Sequence, residues 1–277
     1  MRSFHIPDYI NQFWNANPNN PELVSSNKSA YERLKKDGQP LISVVIPAYN
    51  EEKNILQTLG SLCNNTTKFA VEIIVVNNNS KDNTASLVQS CGIPCVLETK
   101  QGITAARNAG LHAANGSIVL NADADTIYPA YWIEYMATPL LNDSRVSMVY
   151  GSFSFIPTGS TPRWVYVFYE YFAAVARWIN KYAKDEAVNV YGFNSGFRRQ
   201  EGIEVNGFEH PPGTNEDGWL AVKLRTQKKG TLYCVRLPAA YAWTSDRRIQ
   251  MDGGLIKGTI TRLKRLIFKQ GMQRNDL

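Results

Sequence analysis

Two aspartates stand one residue apart directly after an apolar run near the middle of the chain. Residues 118–120 are Ile-Val-Leu, a pattern typical of a short buried strand, and Asp123-Ala124-Asp125 follows. If the backbone stays extended, the two carboxylates share one face and repel each other. A hard divalent cation such as Mg²⁺ or Mn²⁺ prefers oxygen ligands and would offset that repulsion. A polar turn that caps the next helix is the alternative, and this stretch alone favours neither.

A second acidic pair, Glu216 and Asp217, follows Asn215 at the start of a helix predicted over residues 214–226. Asn215 is a good N-cap residue, and acids in the first turn interact favourably with the helix dipole. The pair therefore has a structural explanation. The functional alternative makes one of the two carboxylates a general base in a cleft.

Three arginines are candidates for binding phosphate. Arg107 lies in the middle of a predicted helix among alanines, where it forms either a structural ion pair or a contact with a phosphate. Arg247 and Arg248 follow a predicted last strand, and their guanidinium groups could clamp phosphate oxygens.

Polar loops with nucleotide-binding potential follow the first two predicted strands. The first loop is Pro47-Ala48-Tyr49-Asn50-Glu51. Its structural interpretation is a turn with Asn50 as the N-cap of a helix. Its functional interpretation places Tyr49 against a nucleobase and Glu51 near a ribose. In the second loop, residues 77–82, the Asn78 amide either hydrogen-bonds a base edge or serves a left-handed turn.

The elements around these residues alternate between strand and helix in the first half of the chain. The pattern predicts strands over residues 41–46, 71–76, 94–97 and 117–120, with helices over 50–63, 82–91 and 102–114. Such βαβ units form a mostly parallel sheet with helices on its faces. Ligands bind beyond the carboxyl ends of its strands, which is where the polar loops lie.

The alternation weakens after Asp125, and the second half is expected to add a smaller mixed sheet and the other wall of a cleft. A strand or strand pair is predicted over residues 146–156, and a last strand over 241–244. The aromatic helix predicted over residues 164–181 is either core or part of a lipid-facing surface. The remaining predictions are strands over 193–199 and 232–237 and helices over 129–141 and 254–270.

The excess positive charge lies at one end of the chain. The 277 residues carry a formal net charge of +6, and from Arg247 onward there are eight Lys and Arg residues against two acids. In the predicted last helix, Ile256, Ile260, Leu263 and Ile267 share one face. A basic amphipathic helix of this kind either packs on the core or lies on a membrane surface. We expect peripheral contact with the inner face of the membrane.

Several other function classes lose support from the sequence. No Gly-x-Gly-x-x-Gly and no Walker loop follows the first strand, and no nucleic-acid motif accompanies the basic end, so we expect no nucleic-acid partner. The four cysteines lack a paired metal-binding spacing, and the first residues contain no apolar signal core. We therefore expect reduced thiols and a cytoplasmic location.

The order of these motifs resembles family 2 glycosyltransferases of the GT-A fold. The resemblance covers about residues 41–248 and is specific because its segments follow one another as they do in that family. These segments are the opening strand and nucleotide loop (41–51), the second loop (74–84), the Arg-Asn helix (107–110), the metal-binding Asp-x-Asp (123–125), and the acceptor-side segment with the catalytic acidic pair (193–199, 216–217).

The resemblance implies a Rossmann-like GT-A fold and an inverting transfer of one sugar. The donor is a nucleoside-diphosphate sugar, with UDP the first expectation, and the acceptor is a glycan or a lipid-linked sugar, as in polysaccharide, glycolipid or cell-envelope glycan synthesis. Asp125 is implied as the main ligand of Mn²⁺ or Mg²⁺, with Asp123 turned toward ribose or metal. Asp217 is implied as the base, with Glu216 binding the acceptor or orienting Asp217, and Arg107 as a positive charge near the pyrophosphate.

Two departures from the family pattern bear on these implications. The family usually has an aspartate near Asn77 or Asn78 that contacts the base, and an amide offers a donor as well as an acceptor, which leaves the base open. The Gln-x-x-Arg-Trp motif and transmembrane helices of processive members are missing from the sequence. We therefore expect non-processive transfer.

The resemblance also divides the chain. Residues 1–40 are expected to be an extension without chemistry of its own. Residues 41–127 form the donor half and 128–248 the acceptor half of the catalytic domain, and 249–277 the basic amphipathic helix. Two alternatives are a non-catalytic sugar-nucleotide-binding scaffold and a sugar nucleotidyltransferase. The second normally has a glycine-rich basic loop after its first strand, which the loop at Pro47 does not match.

Overall fold

The computed structural model describes residues 2–251 and 254–255 and has an α/β architecture with two sheets. The strands are β1 (Ile42–Ala48), β2 (Val71–Asn77), β3 (Cys95–Leu97), β4 (Ile118–Asn121), β5 (Thr126–Ile127), β6 (Val146–Gly151), β7 (Phe153–Ile156), β8 (Ser195–Arg198), β9 (Thr231–Val235) and β10 (Ala242–Ser245). The helices are α1 (Asp8–Trp14), α2 (Pro21–Lys35), α3 (Ile55–Cys63), α4 (Thr84–Ser90), α5 (Ile103–Ala113), α6 (Trp132–Asn142), α7 (Arg163–Ala183), α8 (Arg199–Glu204), α9 (Glu216–Gln227) and α10 (Arg247–Met251).

The larger sheet has seven strands in the order β3-β2-β1-β4-β8-β6-β9. Strands β1 to β4 are parallel, and β8 runs antiparallel between β4 and β6. A smaller sheet has the order β5-β10-β7 and contains both parallel and antiparallel pairs. The predicted fold class, a mostly parallel sheet with a smaller mixed sheet, is therefore confirmed.

The central strands are apolar on both faces because helices cover both faces. Val44 and Ile46 point into the core formed with α3 and α6, whereas Val45 between them points toward α5 and α9. Helix α5 lies very close to the sheet. A Cβ on its Gly110 would collide with the side chain of Val45, so the small residues of this helix permit the close approach.

The carboxyl ends of β1, β2 and β4 meet at one edge of the larger sheet. Ala48 at the end of β1 lies opposite Asn77 of β2, and Val45 lies opposite Asn121 at the end of β4. The loops at 47–51 and 77–82 and the Asp-x-Asp segment therefore converge, as the alternation of elements predicts.

The first loop differs from its structural interpretation. Asn50 has a φ of 55° and does not cap a helix, because α3 begins only at Ile55. Its Oδ1 accepts a hydrogen bond from the backbone N–H of Lys81 at 2.8 Å, which joins the first loop to the second. The N-cap interpretation of Asn50 was wrong because an asparagine suits a left-handed turn as well as a cap.

The N-terminal segment is more structured than expected. The segment predicted only as an extension over residues 1–40 forms two helices, α1 and α2. Helix α2 starts early because Asn20 accepts a hydrogen bond from the N–H of Glu22 and Pro21 occupies the first turn. Tyr31 of α2 is buried in the main core, and Phe13 of α1 is buried against the smaller sheet.

Helix α7 shows that the aromatic segment is only partly core. Tyr166, Val167 and Glu170 are its buried residues, while most of its large aromatic side chains are exposed. No helix in the described ranges is long and apolar enough to cross a membrane. The helix predicted over residues 254–270 lies outside the described residues, except for Gly254 and Leu255.

Candidate functional site

Two adjoining cavities open at the edge where the loops converge. The larger, of about 450 Å³, contains most of the predicted site residues. The smaller, of about 240 Å³, shares Pro47, Tyr49 and Ile103 with it and is also bordered by Ala48 and Asn78. The predicted residues around the larger cavity are Pro47, Tyr49, Glu51, Arg107, Asp123, Asp125, Glu216 and Asp217.

Arg107 connects acids from opposite walls of the larger cavity. Its side chain is only 2% exposed, its Nη2 lies 3.0 Å from Oδ1 of Asp123, and its Nε lies 3.4 Å from Oδ1 of Asp217. Burial opposes the charge of the guanidinium, but Asp217 and Asp123 outweigh that effect and raise the pKa of Arg107. Of the two interpretations of Arg107, the ion pair is the one that the structure shows.

Asp217 lies at the first turn of α9 in an almost fully buried position, with 5% of the residue exposed. Burial raises the pKa of its carboxyl to about 7, against the opposing effect of Arg107. Asn215 is the N-cap of α9, as predicted, since its side chain accepts a hydrogen bond from the N–H of Gly218 at 2.7 Å. The cap and the functional interpretation are compatible, because the same turn places Glu216 and Asp217 in the cavity.

Gly192 is a site residue that the sequence analysis missed. A Cβ at this position would collide with Nη2 of Arg107 and with Oδ2 of Asp217. Only a glycine therefore allows the backbone of this loop to lie against the Arg107–Asp217 pair. A glycine between aromatic residues carries no distinct signal of such a role in the sequence.

Tyr128 is a second residue that the sequence analysis missed. Its hydroxyl accepts a hydrogen bond from the N–H of Asp123 at 2.9 Å and donates one to the carbonyl of Phe193 at 2.9 Å. Burial raises the pKa of Tyr128 well above its ordinary value, so the hydroxyl keeps its proton. Tyr128 thus joins the Asp-x-Asp segment to the loop that carries Gly192.

Asp125 points to a different partner from Asp123. Nη2 of Arg247 lies 2.9 Å from Oδ2 of Asp125 and 3.2 Å from Oε1 of Glu51. Arg247 is held there by its neighbour Asp246, which is buried and accepts hydrogen bonds from Thr158. The prediction for Arg248 concerns a side chain that lies outside the described part of the structure.

The carboxylates of Asp125 and Glu51 fit a divalent cation. Both are oxygen ligands, and both contact the same nitrogen of Arg247, so the two carboxylates are neighbours in the cavity. The described residues include no group of three His, Cys, Asp or Glu side chains that could hold a metal ion by itself. A cation at Asp125 would therefore take further ligands from bound phosphate and water, as Mg²⁺ commonly does.

The Asn78 side chain is engaged within the chain. Its Nδ2 donates to the carbonyls of Glu98 and Lys100 at 3.0 and 2.8 Å, and its Oδ1 accepts from the N–H of Gly102 at 2.9 Å. Both amide hydrogens are thus used to fold residues 98–102 against the smaller cavity. In this arrangement Asn78 has no hydrogen to donate to a base edge.

The N-terminal segment borders the site near Asp125. Trp14 of α1 borders a third cavity of about 210 Å³, which Asn54, Gln57 and Asp125 border as well. The Nε2 of Gln57 donates to the carbonyl of Ala16 at 3.1 Å, which fixes the end of α1 against α3. The extension therefore contributes a wall next to Asp125, which its polar sequence did not indicate.

Comparison with known proteins gives one family and a set of structural relatives. Residues 43–201, more than half of the chain, match the family model described as Glycosyl transferase family 2. The chain is 30% identical over 223 residues to the probable glycosyltransferase YdaM of Bacillus subtilis (strain 168), a match that covers 75% of this chain and 51% of that protein. It is 31% identical over 130 residues to the glycosyltransferase AglE of Haloferax volcanii, covering 44% and 42%. The chain thus spans about half the length of these relatives.

Solved structures share the fold at lower identity. The mannosyltransferase PcManGT from Pyrobaculum calidifontis, solved with GDP-Man and Mn²⁺, has a TM-score of 0.57 at 23% identity, covering 88% of this chain and 73% of that one. The TarS fragment 1–349 of S. aureus, solved with UDP, has a TM-score of 0.54 at 18% identity, covering 74% and 60%. At these identities the likeness shows a common fold.

Proposed function

The chain belongs to glycosyl transferase family 2, and we propose from the geometry of its cavities that it transfers one sugar from a nucleoside-diphosphate sugar to an acceptor hydroxyl with inversion. The observation that carries the proposal is the position of Arg107, which contacts Asp123 from one wall of the larger cavity and Asp217 from the other. A donor lying across this cavity would have its pyrophosphate near Asp125 and its sugar directed toward Asp217.

The smaller cavity is the proposed pocket for the nucleobase. Ala48, Ile103 and Ala106 give it apolar walls, and the ring of Tyr49, which is half exposed, can lie against a flat base. Asn78 would shape this pocket through its bonds to residues 98–102. UDP remains the first expectation, and TarS was solved with UDP, but PcManGT was solved with GDP-Man. Both bases are therefore to be tested.

We propose Mn²⁺ or Mg²⁺ as cofactor, held by Asp125 with Glu51 nearby. The fold relative PcManGT was solved with Mn²⁺, which supports a divalent cation in this site. When bound, such a cation would offset the negative charge that grows on the pyrophosphate as the bond to the sugar breaks. Asp123 is held by Arg107, so we assign it to orienting the loop and facing the ribose.

Asp217 is the proposed general base. A carboxylate with a pKa near the working pH can take the proton of the acceptor hydroxyl as that hydroxyl attacks the sugar opposite the leaving group. Glu216, beside it in the cavity, would bind the acceptor or orient Asp217. Arg107 would position Asp217, and the positive charge near the phosphates would come from Arg247.

The remaining proposals concern the halves of the chain and the acceptor. Residues 41–127 would bind the donor and 128–248 the acceptor, a glycan or a lipid-linked sugar, in a cytoplasmic protein of cell-envelope or polysaccharide synthesis.

A scaffold without activity would keep the fold but would not need a buried carboxylate of raised pKa in the cavity. The acidic pair therefore favours a catalyst.

Replacing Asp217 by Asn tests the base. Turnover, measured as release of nucleoside diphosphate in the presence of acceptor, should fall by about 10²- to 10⁴-fold. Donor affinity, measured by calorimetry with Mn²⁺, should persist because the amide keeps the shape of the side chain. Asp143→Asn, at a half-buried position away from the cavity, is the control. Near-normal turnover of the Asp217→Asn variant would rule out the assignment.

The donor itself is found by a separate experiment. UDP-, GDP- and dTDP-sugars are compared by thermal shift with Mn²⁺, since a ligand that binds only the folded state raises its melting temperature. Stabilisation by none of them would speak against a sugar-nucleotide donor.

A further inference from the structure

Helix α7 presents a continuous apolar surface to solvent, which we call the aromatic face. Its side chains are between 44% and 67% exposed and recur every three or four residues. At 1.5 Å per residue the face is about 27 Å long, and an exposed apolar patch of this kind marks an interaction site. Its members are Trp164, Phe168, Tyr171, Phe172, Val175, Trp178, Ile179 and Tyr182.

The opposite side of α7 is fixed to the body of the protein. Glu170 is fully buried and forms ion pairs with Arg163 at 2.7 Å and with Arg2 at 2.9 Å. Its Oε1 also accepts a hydrogen bond from the N–H of Phe155 at 2.7 Å, which attaches the helix to β7. These bonds set the rotation of the helix, so the aromatic face is directed outward by a specific anchor.

The composition of the aromatic face suits the interface of a lipid bilayer. Tryptophan and tyrosine prefer the headgroup level, where the ring is apolar and the N–H or O–H stays hydrated. The only carboxylate of α7 is Glu170, which is buried, so the exposed side carries no negative charge. A protein partner would be matched by a mixed polar rim, whereas a one-sided aromatic helix is typical of helices that lie in the membrane plane.

The basic end of the chain begins beside this helix. Leu255 packs against the cluster that contains Tyr166 of α7 and Ile249. In sequence, residues 256–277 contain six Lys and Arg residues and one Asp. Basic residues that follow Leu255 in the sequence favour anionic lipid as the surface, because each Lys or Arg near such a surface adds about 1 kcal/mol of attraction.

We propose that the aromatic face of α7 lies in the interface of an anionic bilayer, with the basic C-terminal sequence as its electrostatic partner. Tyr191 and Phe193, which pack against Phe153 beside α7, also border the larger cavity. The cleft would thus open close to the membrane on the side of Asp217. This last placement rests on the proposed function, whereas the membrane contact itself does not.

The test is co-sedimentation of the full chain with vesicles of phosphatidylcholine alone or mixed with phosphatidylglycerol, without donor. Strong binding is expected only to the anionic vesicles at low salt. Phe168→Ser/Trp178→Ser should lower the partition coefficient about 100-fold, because the loss of each aromatic side chain lowers it about tenfold. The control is Tyr131→Ser/Tyr233→Ser, which removes two rings elsewhere that are 49% and 47% exposed, and this variant should bind as the wild type does.

Three outcomes would overturn the proposal. One is the lack of binding to anionic vesicles at low salt. Another is that Phe168→Ser/Trp178→Ser binds anionic vesicles fully while Lys264→Gln/Arg265→Gln does not bind them. The basic sequence alone would then account for the binding. The third is a dimer in light scattering that Phe168→Ser/Trp178→Ser dissociates, which would assign the face to a second copy. Because no donor is present, a failure of sugar transfer leaves the result unaffected.

Discussion

Single residues in the cleft are linked through Arg107. Buried between Asp123 and Asp217, it forms ion pairs with both acids, although an arginine among alanines suggested a contact with phosphate as readily as an ion pair. The alanines allow α5 to lie against the sheet, and the arginine reaches beneath the cavity floor. It therefore transmits the position of the Asp-x-Asp segment to the acid on α9.

The raised pKa of Asp217 predicts a pH dependence of the reaction. Only the carboxylate can take a proton, so kcat/KM should rise with pH up to about 7 and level off above it. The folded state holds this proton more tightly than the unfolded chain, so the contribution of Asp217 to stability falls as pH rises from ~4 to ~7. The measurement is kcat/KM between pH 5.5 and 8.5 at fixed Mn²⁺. A flat profile would contradict it.

At this scale the sequence predicts the acids of the cavity but not the groups that hold them. Each acidic pair, 123 with 125 and 216 with 217, has a structural explanation when taken alone, and only the order of the motifs along the chain favours a shared site. Gly192 and Tyr128 look like any loop glycine and any core aromatic. Their roles depend on contacts between segments far apart in sequence, which periodicity does not encode.

Among the elements, helix α7 is attached to the body of the protein through one buried charged side chain. Glu170 faces two arginines in a fully buried position, and its loss would leave two guanidinium groups without a counter-charge.

We expect Glu170→Ala to lower the free energy of unfolding by about 3–5 kcal/mol. Urea denaturation followed by far-UV circular dichroism measures the change. Asp143→Ala breaks the exposed pair with Arg145 and should alter stability little. Equal stabilities of the two variants would show that Glu170 does not anchor α7.

Elements with strong periodicity were predicted well, and their junctions were not. The four parallel strands follow from short apolar runs between helices. The split of residues 146–156 between the two sheets has no local signal, because β6 and β7 are equally buried and differ only in their partners. The start of α2 could have been found from Asn20 and Pro21, which are good N-terminal residues of a helix.

In the whole molecule, the smaller sheet brings the end of the described chain to the centre of the cleft. β5 follows Asp125 directly and pairs with β10, with Thr126 opposite Thr244. Arg247 comes just after β10 and so meets Asp125 and Glu51. The contact follows from the topology, and it joins a residue from the second half of the chain to two residues from the first half.

This contact predicts competition between Arg247 and a metal ion. In Arg247→Ala the two carboxylates lose their ion pairs with Arg247, so Mn²⁺ alone should bind roughly three- to tenfold more tightly, as measured by calorimetry. Binding of the donor with Mn²⁺ should weaken instead, because the arginine no longer reaches the phosphates. Arg145→Ala is a control that removes an exposed arginine outside the cleft. An unchanged Mn²⁺ affinity would refute the competition.

The anchoring of Arg247 has a mechanical consequence. Asp246 is buried and accepts hydrogen bonds from Thr158 and Tyr166, so it fixes the position at which the following chain begins. Helix α10 follows Asp246 in the sequence and precedes the basic tail. Strand β10 precedes Asp246 and pairs with β5, the strand after Asp125. A force applied to the tail would therefore be transmitted to Asp125 through the neighbouring contact with Arg247. If the chain adsorbs at a bilayer as proposed, the resulting force would act on the segment that carries Asp125, the proposed ligand of the metal ion.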